Sequence, residues 1–212
     1  MHRFDLHIHT FLSRDSWIDP RILPKVAKYR GLRGFAITDH NCFGAHRKME
    51  ANNMLVVPGM EIRTSVGDLI ALFIQEPVDS EDPFEVCEKV KSQDGVIIAA
   101  HPFGFPRLHM SASEKAYELL DGVEVVNARN FLKRQNKKAL ELARRLGKAE
   151  VGGSDAHTLR EVGKAYTLAD ASSIEELRLA IKKRMTKGAG TVSLPLVHLA
   201  SFVMSITHIF SR

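Results

Sequence analysis

Cysteine is almost absent: Cys42 and Cys87 are the only two in 212 residues. Two thiols cannot build a disulfide framework, and a reduced, cytoplasmic setting is the expectation. The first residues, Met1-His2-Arg3-Phe4-Asp5, lack the apolar run of a signal peptide. No transmembrane segment, 20–50-residue repeat or low-complexity tract stands out. Charge of one sign is also scarce. A net +5 is too small to define a nucleic-acid partner, although it suits anionic substrates. What is present is ordinary for a packed protein: 44% hydrophobic and 26% charged residues, which excludes a disordered chain. The length suits one domain. The informative residue is histidine, with ten copies.

Short apolar runs alternate with helical patterns. Strands are expected at Phe4–His9, Gly34–Thr38, Leu55–Glu61, Leu69–Ile74, Val96–Ala100, Gly122–Val126, Ala149–Gly153 and Ala165–Leu168. Asp19-Pro20 opens a helix to about Arg30, and Asp82-Pro83 opens another through Gln93. Phe131–Leu146 is apolar on one side and basic on the other. Ser173-Ile174-Glu175-Glu176 fits a capping box ahead of Leu177–Met185. This alternation predicts α/β architecture with a parallel sheet, and seven or eight strands predict a small barrel. Thr186–Ser193 reads as a linker. Beyond it, Leu196, Leu199, Val203, Ile206 and Phe210 mark an amphipathic helix. It is expected to dock on the barrel or to join a second copy as a homo-oligomer; attachment to a membrane surface is the weaker alternative, because the polar stripe lacks Lys and Arg. The organisation is thus residues 1–190 as one domain and 191–212 as a helical tail.

Chemistry concentrates where strands end. In His7-Ile8-His9 the two imidazoles point the same way on a strand. Thr38-Asp39-His40 follows an apolar strand, as do Glu61, His101-Pro102 and Ser154-Asp155-Ala156-His157. Any one of these endings is common in structural roles. Five at the same end, all of metal-ligand type, predict a metal centre on the face where barrel active sites lie.

In these segments the chain resembles the polymerase and histidinol phosphatase (PHP) family. The matching pieces are His7-Ile8-His9-Thr10, Ile37-Thr38-Asp39-His40-Asn41, Pro58-Gly59-Met60-Glu61, Ala100-His101-Pro102 and Gly153-Ser154-Asp155-Ala156-His157. The resemblance implies a distorted (βα)7, TIM-like barrel that binds two or three divalent ions (manganese, zinc or iron) and hydrolyses phosphate esters. It implies His7, His9 and Asp155 on a first ion, with Glu61 bridging to a second. His101 and one more ligand complete the second; His40, His157 and Asp15 hold a third. Many members have a histidine where this chain offers Asp68, which becomes the expected second-ion ligand.

Charge supports such a centre. Asp15, Glu61, Asp68 and Asp155 bring four negative charges against six from three divalent ions, and the excess attracts a phosphate dianion. A bound metal lowers the pKa of its water to about 7, which supplies a hydroxide nucleophile at neutral pH. Glu61, Asp155 and Asp39 are the expected catalytic carboxylates. Asp39 is expected to orient a ligand, a turn or capping role being the alternative. Arg129, past a strand end, is the expected phosphate clamp, with Arg107 and His109 also placed to touch substrate. A phosphomonoester or a short nucleotide is the expected substrate. The basic run Lys133, Arg134, Lys137, Lys138, Arg144 and Arg145 reads as a solvated face that could also track nucleic acid. An amidohydrolase-type hydrolase and a non-catalytic metal-binding module are the competing readings.

Overall fold

The structure, a computed structural model, describes residues 1–104 and 117–193. Nine strands occur among them: β1 (His2–Asp5), β2 (Gly34–Ile37), β3 (Leu55–Thr64), β4 (Gly67–Leu72), β5 (Val96–Ala99), β6 (Gly122–Asn127), β7 (Ala149–Gly153), β8 (Ala165–Ala169) and β9 (Lys187–Gly190). They form one sheet in the order β7-β6-β5-β4-β3-β2-β1-β8-β9. Four α-helices lying wholly within the described residues accompany it: α1 (Leu23–Tyr29), α2 (Pro83–Ser92), α3 (Lys133–Leu146) and α4 (Ile174–Lys182).

The sheet is rolled into a nearly closed barrel. Alternate residues of the strands face different cores, as a period of two requires. Ile70, Leu72, Val96 and Ile98 join Phe4, Ala36, Val57 and Val151 in an interior cluster. Their neighbours Leu69, Ala71, Ile97 and Ala99 pack outward with Val86 and Val90 of α2 and Ala139 and Leu142 of α3. A third cluster joins Phe35 and Ile37 to Leu23 and Ala27 of α1. The seam between β7 and β8 is stitched by one side chain. Thr167 Oγ1 donates to Gly152 O and accepts from Gly152 N, both at 2.9 Å.

Two expectations are corrected. The sheet is mixed rather than parallel: β4 runs antiparallel to both β3 and β5, and β8 antiparallel to β1 and β9. Only Ser65 and Val66 separate β3 from β4, so no crossover helix fits and a hairpin is forced. The second correction is Thr186–Ser193. It is no linker, because Lys187–Gly190 pairs with β8. A Cβ at Gly188 would collide with Val125 Cγ2 and Val151 O, so the glycine is there for close approach, not for looseness.

The helix starts follow the sequence signals. Asp19 accepts from Arg21 N and Asp82 from Phe84 N; the first helix opens as a 3-10 turn over Pro20–Ile22 before α1. Ser173 caps α4 by accepting from Glu176 N at 3.1 Å. Glu176 turns instead to Ser172, accepting from its N and Oγ at 2.7 Å, so half of the capping box forms one residue early. Leu177, Ala180 and Ile181 of α4 enter the barrel's interior cluster, and α4 packs beside β3, β5 and β7. It closes the barrel floor, where β5 and β7 begin. No helix of the described residues is long and apolar enough to cross a membrane. The amphipathic pattern at Leu194–Phe210 lies outside the described residues.

Candidate metal centre

At the other end of the barrel, the strand exits carry the histidines. Leu6–His9 continues past β1, strapped between the exits of β2 and β7. Thr38 N donates to Ile8 O at 2.8 Å, Asp155 N to His7 O at 2.8 Å, and His9 N to Ala156 O at 2.9 Å. Ile8 therefore packs with Phe35 and Ile37, while His7 and His9 share the opposite side. Their Nε2 atoms stand 3.0 Å apart. His40 bridges to Glu61 in parallel fashion, with Asn41 N donating to Glu61 O at 2.8 Å. His101 and Asp155 hold positive φ values of 27° and 54°. Such backbone is uncommon for residues with a side chain and collects at functional sites.

Glu61 is the hub. It is 1% exposed. Its Oε1 lies 2.9 Å from His101 Nε2. Its Oε2 lies 2.8 Å from His40 Nδ1, 3.4 Å from His9 Nε2 and 3.5 Å from His7 Nε2, close enough for ion pairs yet none angled as a hydrogen bond. Four sets of donors lie within 4.8 Å of one another: His7, His9 and Glu61; His7, His101 and Asp155; Glu61, Asp68 and His101; His9, His40 and His157. Asp15 Oδ2 adds a carboxylate 3.0 Å from His157 Nε2 and 3.6 Å from His40 Nε2. Imidazole and carboxylate donors converging on shared points, with a buried carboxylate oxygen unsatisfied, fit divalent cations.

The electrostatics follow from crowding. Burial opposes charge on His40, but Glu61 and Asp15 outweigh it and raise its pKa to about 10. Burial likewise opposes charge on His7, and Glu124, Asp155 and Glu61 carry its pKa well above the usual imidazole range. Burial, with His40 and His157 beside it, holds His9 well below that range. Glu61 resists its own burial because His40 and His7 hold its pKa well below the usual carboxylate value.

All nine of the expected ligands, His7, His9, Asp15, His40, Glu61, Asp68, His101, Asp155 and His157, are brought together. Asp68 reaches the mouth from the start of β4, which its antiparallel course makes possible. Asp39 does not join them: its oxygens accept from Thr10 N at 2.6 Å, Thr10 Oγ1 at 2.7 Å and Ser13 Oγ at 2.7 Å. Ser13 Oγ in turn sits 3.2 Å from His9 Nδ1 and accepts from His40 N at 3.1 Å. Asp39 thus orders the loop beneath two imidazoles. Arg129 is not solvated; it is 4% exposed, with Nε 3.2 Å from Glu161 Oε1. Glu161 Oε2 accepts from His157 N and Thr158 N. Arg107 and His109 lie outside the described residues.

The residue that sequence reasoning missed is Glu124. Its Oε1 is 3.0 Å from His7 Nδ1, and its Oε2 accepts from His101 N at 2.8 Å and Asn127 Nδ2 at 3.0 Å. Asn127 Nδ2 also reaches Asp155 Oδ2 at 3.2 Å. One buried carboxylate therefore orients the trio His7, His101 and Asp155. A Cβ at Gly153 would strike both His7 Cβ and Glu124 Oε1, which explains the glycine there. The signal was available: a glutamate inside an apolar strand needs a partner.

A rolled, mixed sheet with this donor cluster at its strand exits defines a metal-centre α/β barrel. Comparison with known proteins agrees. A family model described as PHP-associated matches residues 133–186. The uncharacterized protein MJ0417 of Methanocaldococcus jannaschii is 33% identical over 181 residues, 82% of this chain and 73% of that protein. Another from the same organism, MJ1587, is 39% identical over 140 residues, 58% of this chain and 81% of that one. Among solved structures, a two-domain Bacteroides vulgatus protein containing a predicted PHP-like metal-dependent phosphoesterase superposes with a TM-score of 0.73 at 17% identity, covering 96% of this chain and 69% of that one. A Chromobacterium violaceum amidohydrolase (TM-score 0.63, 15% identity) covers 85% and 96%. The lesion-specific endonuclease EndoQ of Pyrococcus furiosus (TM-score 0.63, 16% identity) covers 92% and 59%. The chain belongs to the PHP domain family.

Proposed function

We propose that the chain is a metal-dependent phosphoesterase, hydrolysing a phosphomonoester or a short nucleotide. The observation that carries this reading is Glu61, one buried carboxylate ringed by four imidazoles and shared between two donor sets. His7, His9, Glu61 and Asp155 would hold a first divalent ion, and Glu61, Asp68 and His101 a second. His40, His157 and Asp15 would hold a third. When bound, manganese, zinc or iron supplies Lewis acidity and activates water for attack at phosphorus. The chain's own part is to fix the donors: Glu124 aims His7, Ser13 and Asp39 hold the loop under His9 and His40, and Glu161 holds the backbone of His157.

Cationic side chains gather in one groove beside the loop that follows His9. A groove of about 500 Å³ is lined by Arg21, Arg47, Lys48, Met49, Glu50 and Asn52. Lys48 Nζ sits 5.2 Å above the Phe11 ring, which ties that groove to the loop following His9. The test is a panel of purified protein loaded with manganese, zinc or iron. Metal-dependent release of phosphate from nucleoside phosphates or sugar phosphates is expected. Turnover of amides or lactones alone would sink the reading and favour an amidohydrolase.

A further inference from the structure

We propose that Arg63, not Arg129, is the arginine that receives the substrate's phosphoryl oxygens; the inference rests on the phosphoesterase reading above. Three observations place it. Arg63 lies two residues past Glu61 on β3, so the two side chains leave the same face of the strand. Directly across the β3–β4 ladder from Arg63 is Asp68, a member of the donor set with Glu61 and His101. Arg63 Nε pairs with Asp68 Oδ1 at 3.2 Å. The backbone beneath is held too, because Arg63 N donates to Asn41 Oδ1 at 3.0 Å and Asn41 follows His40 in the chain.

The exposure of the two arginines separates them. The Arg63 side chain is 61% exposed, against 3% for Arg129, whose partner Glu161 is at 0%. Asp68 pins Arg63 through Nε alone, and the remaining guanidinium N–H groups meet no protein acceptor among the described residues and are left to solvent. A guanidinium fixed at one edge presents a planar fork of donors to a phosphoryl group. The pairing also leaves Asp68 its second oxygen for the centre. Arg63 is thereby joined to the donor cluster through a carboxylate and turned outward, toward the side from which an anion arrives.

The experiment uses the full chain loaded with manganese, in wild-type, Arg63→Ala and Arg63→Lys forms. Inorganic phosphate binding is measured by calorimetry, hydrolysis of p-nitrophenyl phosphate by steady-state kinetics, and metal content by elemental analysis. Arg63→Ala is expected to weaken phosphate binding and kcat/KM by roughly 10- to 150-fold, with KM rising and metal content unchanged. Arg63→Lys should recover part of the loss. Wild-type phosphate affinity and kcat/KM in Arg63→Ala would overturn the proposal while leaving the phosphoesterase reading intact. Loss of bound metal in that variant would also overturn it, since Arg63 would then serve only to hold Asp68. A wild-type protein that neither hydrolyses the ester nor binds phosphate would sink both.

Discussion

The two ends of the barrel are built on opposite rules. At the mouth, buried polar groups crowd together: Glu61, Asp155, Glu124, His7, His9 and His157 are each no more than 1% exposed. At the floor, α4 brings Leu177, Ala180 and Ile181 against the strand beginnings, and its charges sit outside. Arg178 and Lys182 pair with Asp94, whose side chain is 70% exposed. Buried charge without compensation is costly, whereas buried hydrocarbon is stabilising. The mouth is therefore tolerated for what it binds, and the floor contributes the stability that tolerates it. Substitutions at the mouth should cost metal and turnover, and those at the floor should cost melting temperature.

The sharpest separation is expected at Glu61. Glu61→Gln removes the charge that faces four imidazoles and serves two donor sets. Activity at saturating metal should fall by more than about 100-fold, beyond the range typical of residues behind a ligand. Asp68→Asn, which touches one set, should cost less. The check is kcat for both variants; equal losses would mean that Glu61 does not bridge.

Glu124→Gln comes next. A carboxylate accepts from His7 Nδ1, His101 N and Asn127 Nδ2 together, whereas an amide offers one acceptor oxygen and two donors. At least one of the three partners loses its acceptor. Metal affinity should drop roughly 10- to 100-fold, read by competition with a chelator, while the melting temperature of metal-loaded protein changes little. Unchanged affinity would show that His7 is aimed without Glu124.

Much of this was legible in the sequence because most of the expected ligands sit at the end of a local pattern, whereas Asp15 and Asp68 rested on the family resemblance. Val96–Ala100 reads as a buried strand from its own residues, and His101 follows it. Relations between strands were not legible. The β3–β4 hairpin turns on two residues, Ser65 and Val66, without a strong turn signature, so β4 read as another parallel strand. Lys187–Gly190 has little β propensity; it is a strand because only small residues fit against Val125 and Val151. Arg129 follows a strand exit as His101 does, and nothing local distinguishes a clamp from a buried countercharge. That difference lies in Glu161, 32 positions away. Arg63 could have been found, since the period of two puts it on the face of Glu61.

Arg129 is where the contrast between mouth and floor can be broken. It lies past a strand exit yet is expected to act on stability. Arg129→Ala leaves the fully buried Glu161 without its ion pair, a change that typically costs about 3–5 kcal/mol. At this chain length that corresponds to roughly 6–20 °C in melting temperature. Calorimetric melts of wild-type and variant read it. A variant that melts like wild type but loses phosphate affinity would return Arg129 to the substrate.

Ile181→Ala tests the floor itself. Ile181 is fully buried in the interior cluster, and the truncation should cost about 2–4 kcal/mol through lost contact and the cavity left behind. Turnover per folded molecule should stay at the wild-type level below the melting transition. A fall in kcat without a fall in melting temperature would mean that the floor and the mouth are coupled.

The smallest effect is expected at the floor's exposed charges. The Lys182 ammonium bonded to Asp94, with Arg178 beside it, holds the Asp94 carboxyl below its usual pKa. A carboxyl lowered in the folded state contributes stability that is present above its unfolded pKa and lost as pH falls through the folded value. Because the group stands in solvent, most of that contribution is screened. Asp94→Asn should therefore lower the melting temperature by under about 2 °C at neutral pH and low salt. The difference should shrink in high salt and vanish in acid, where the wild-type carboxyl is itself protonated. Melts at two salt concentrations and two pH values decide it. A large, salt-independent drop would show that Asp94 is part of the seal between α4 and β5, and the floor would then depend on charge as the mouth does.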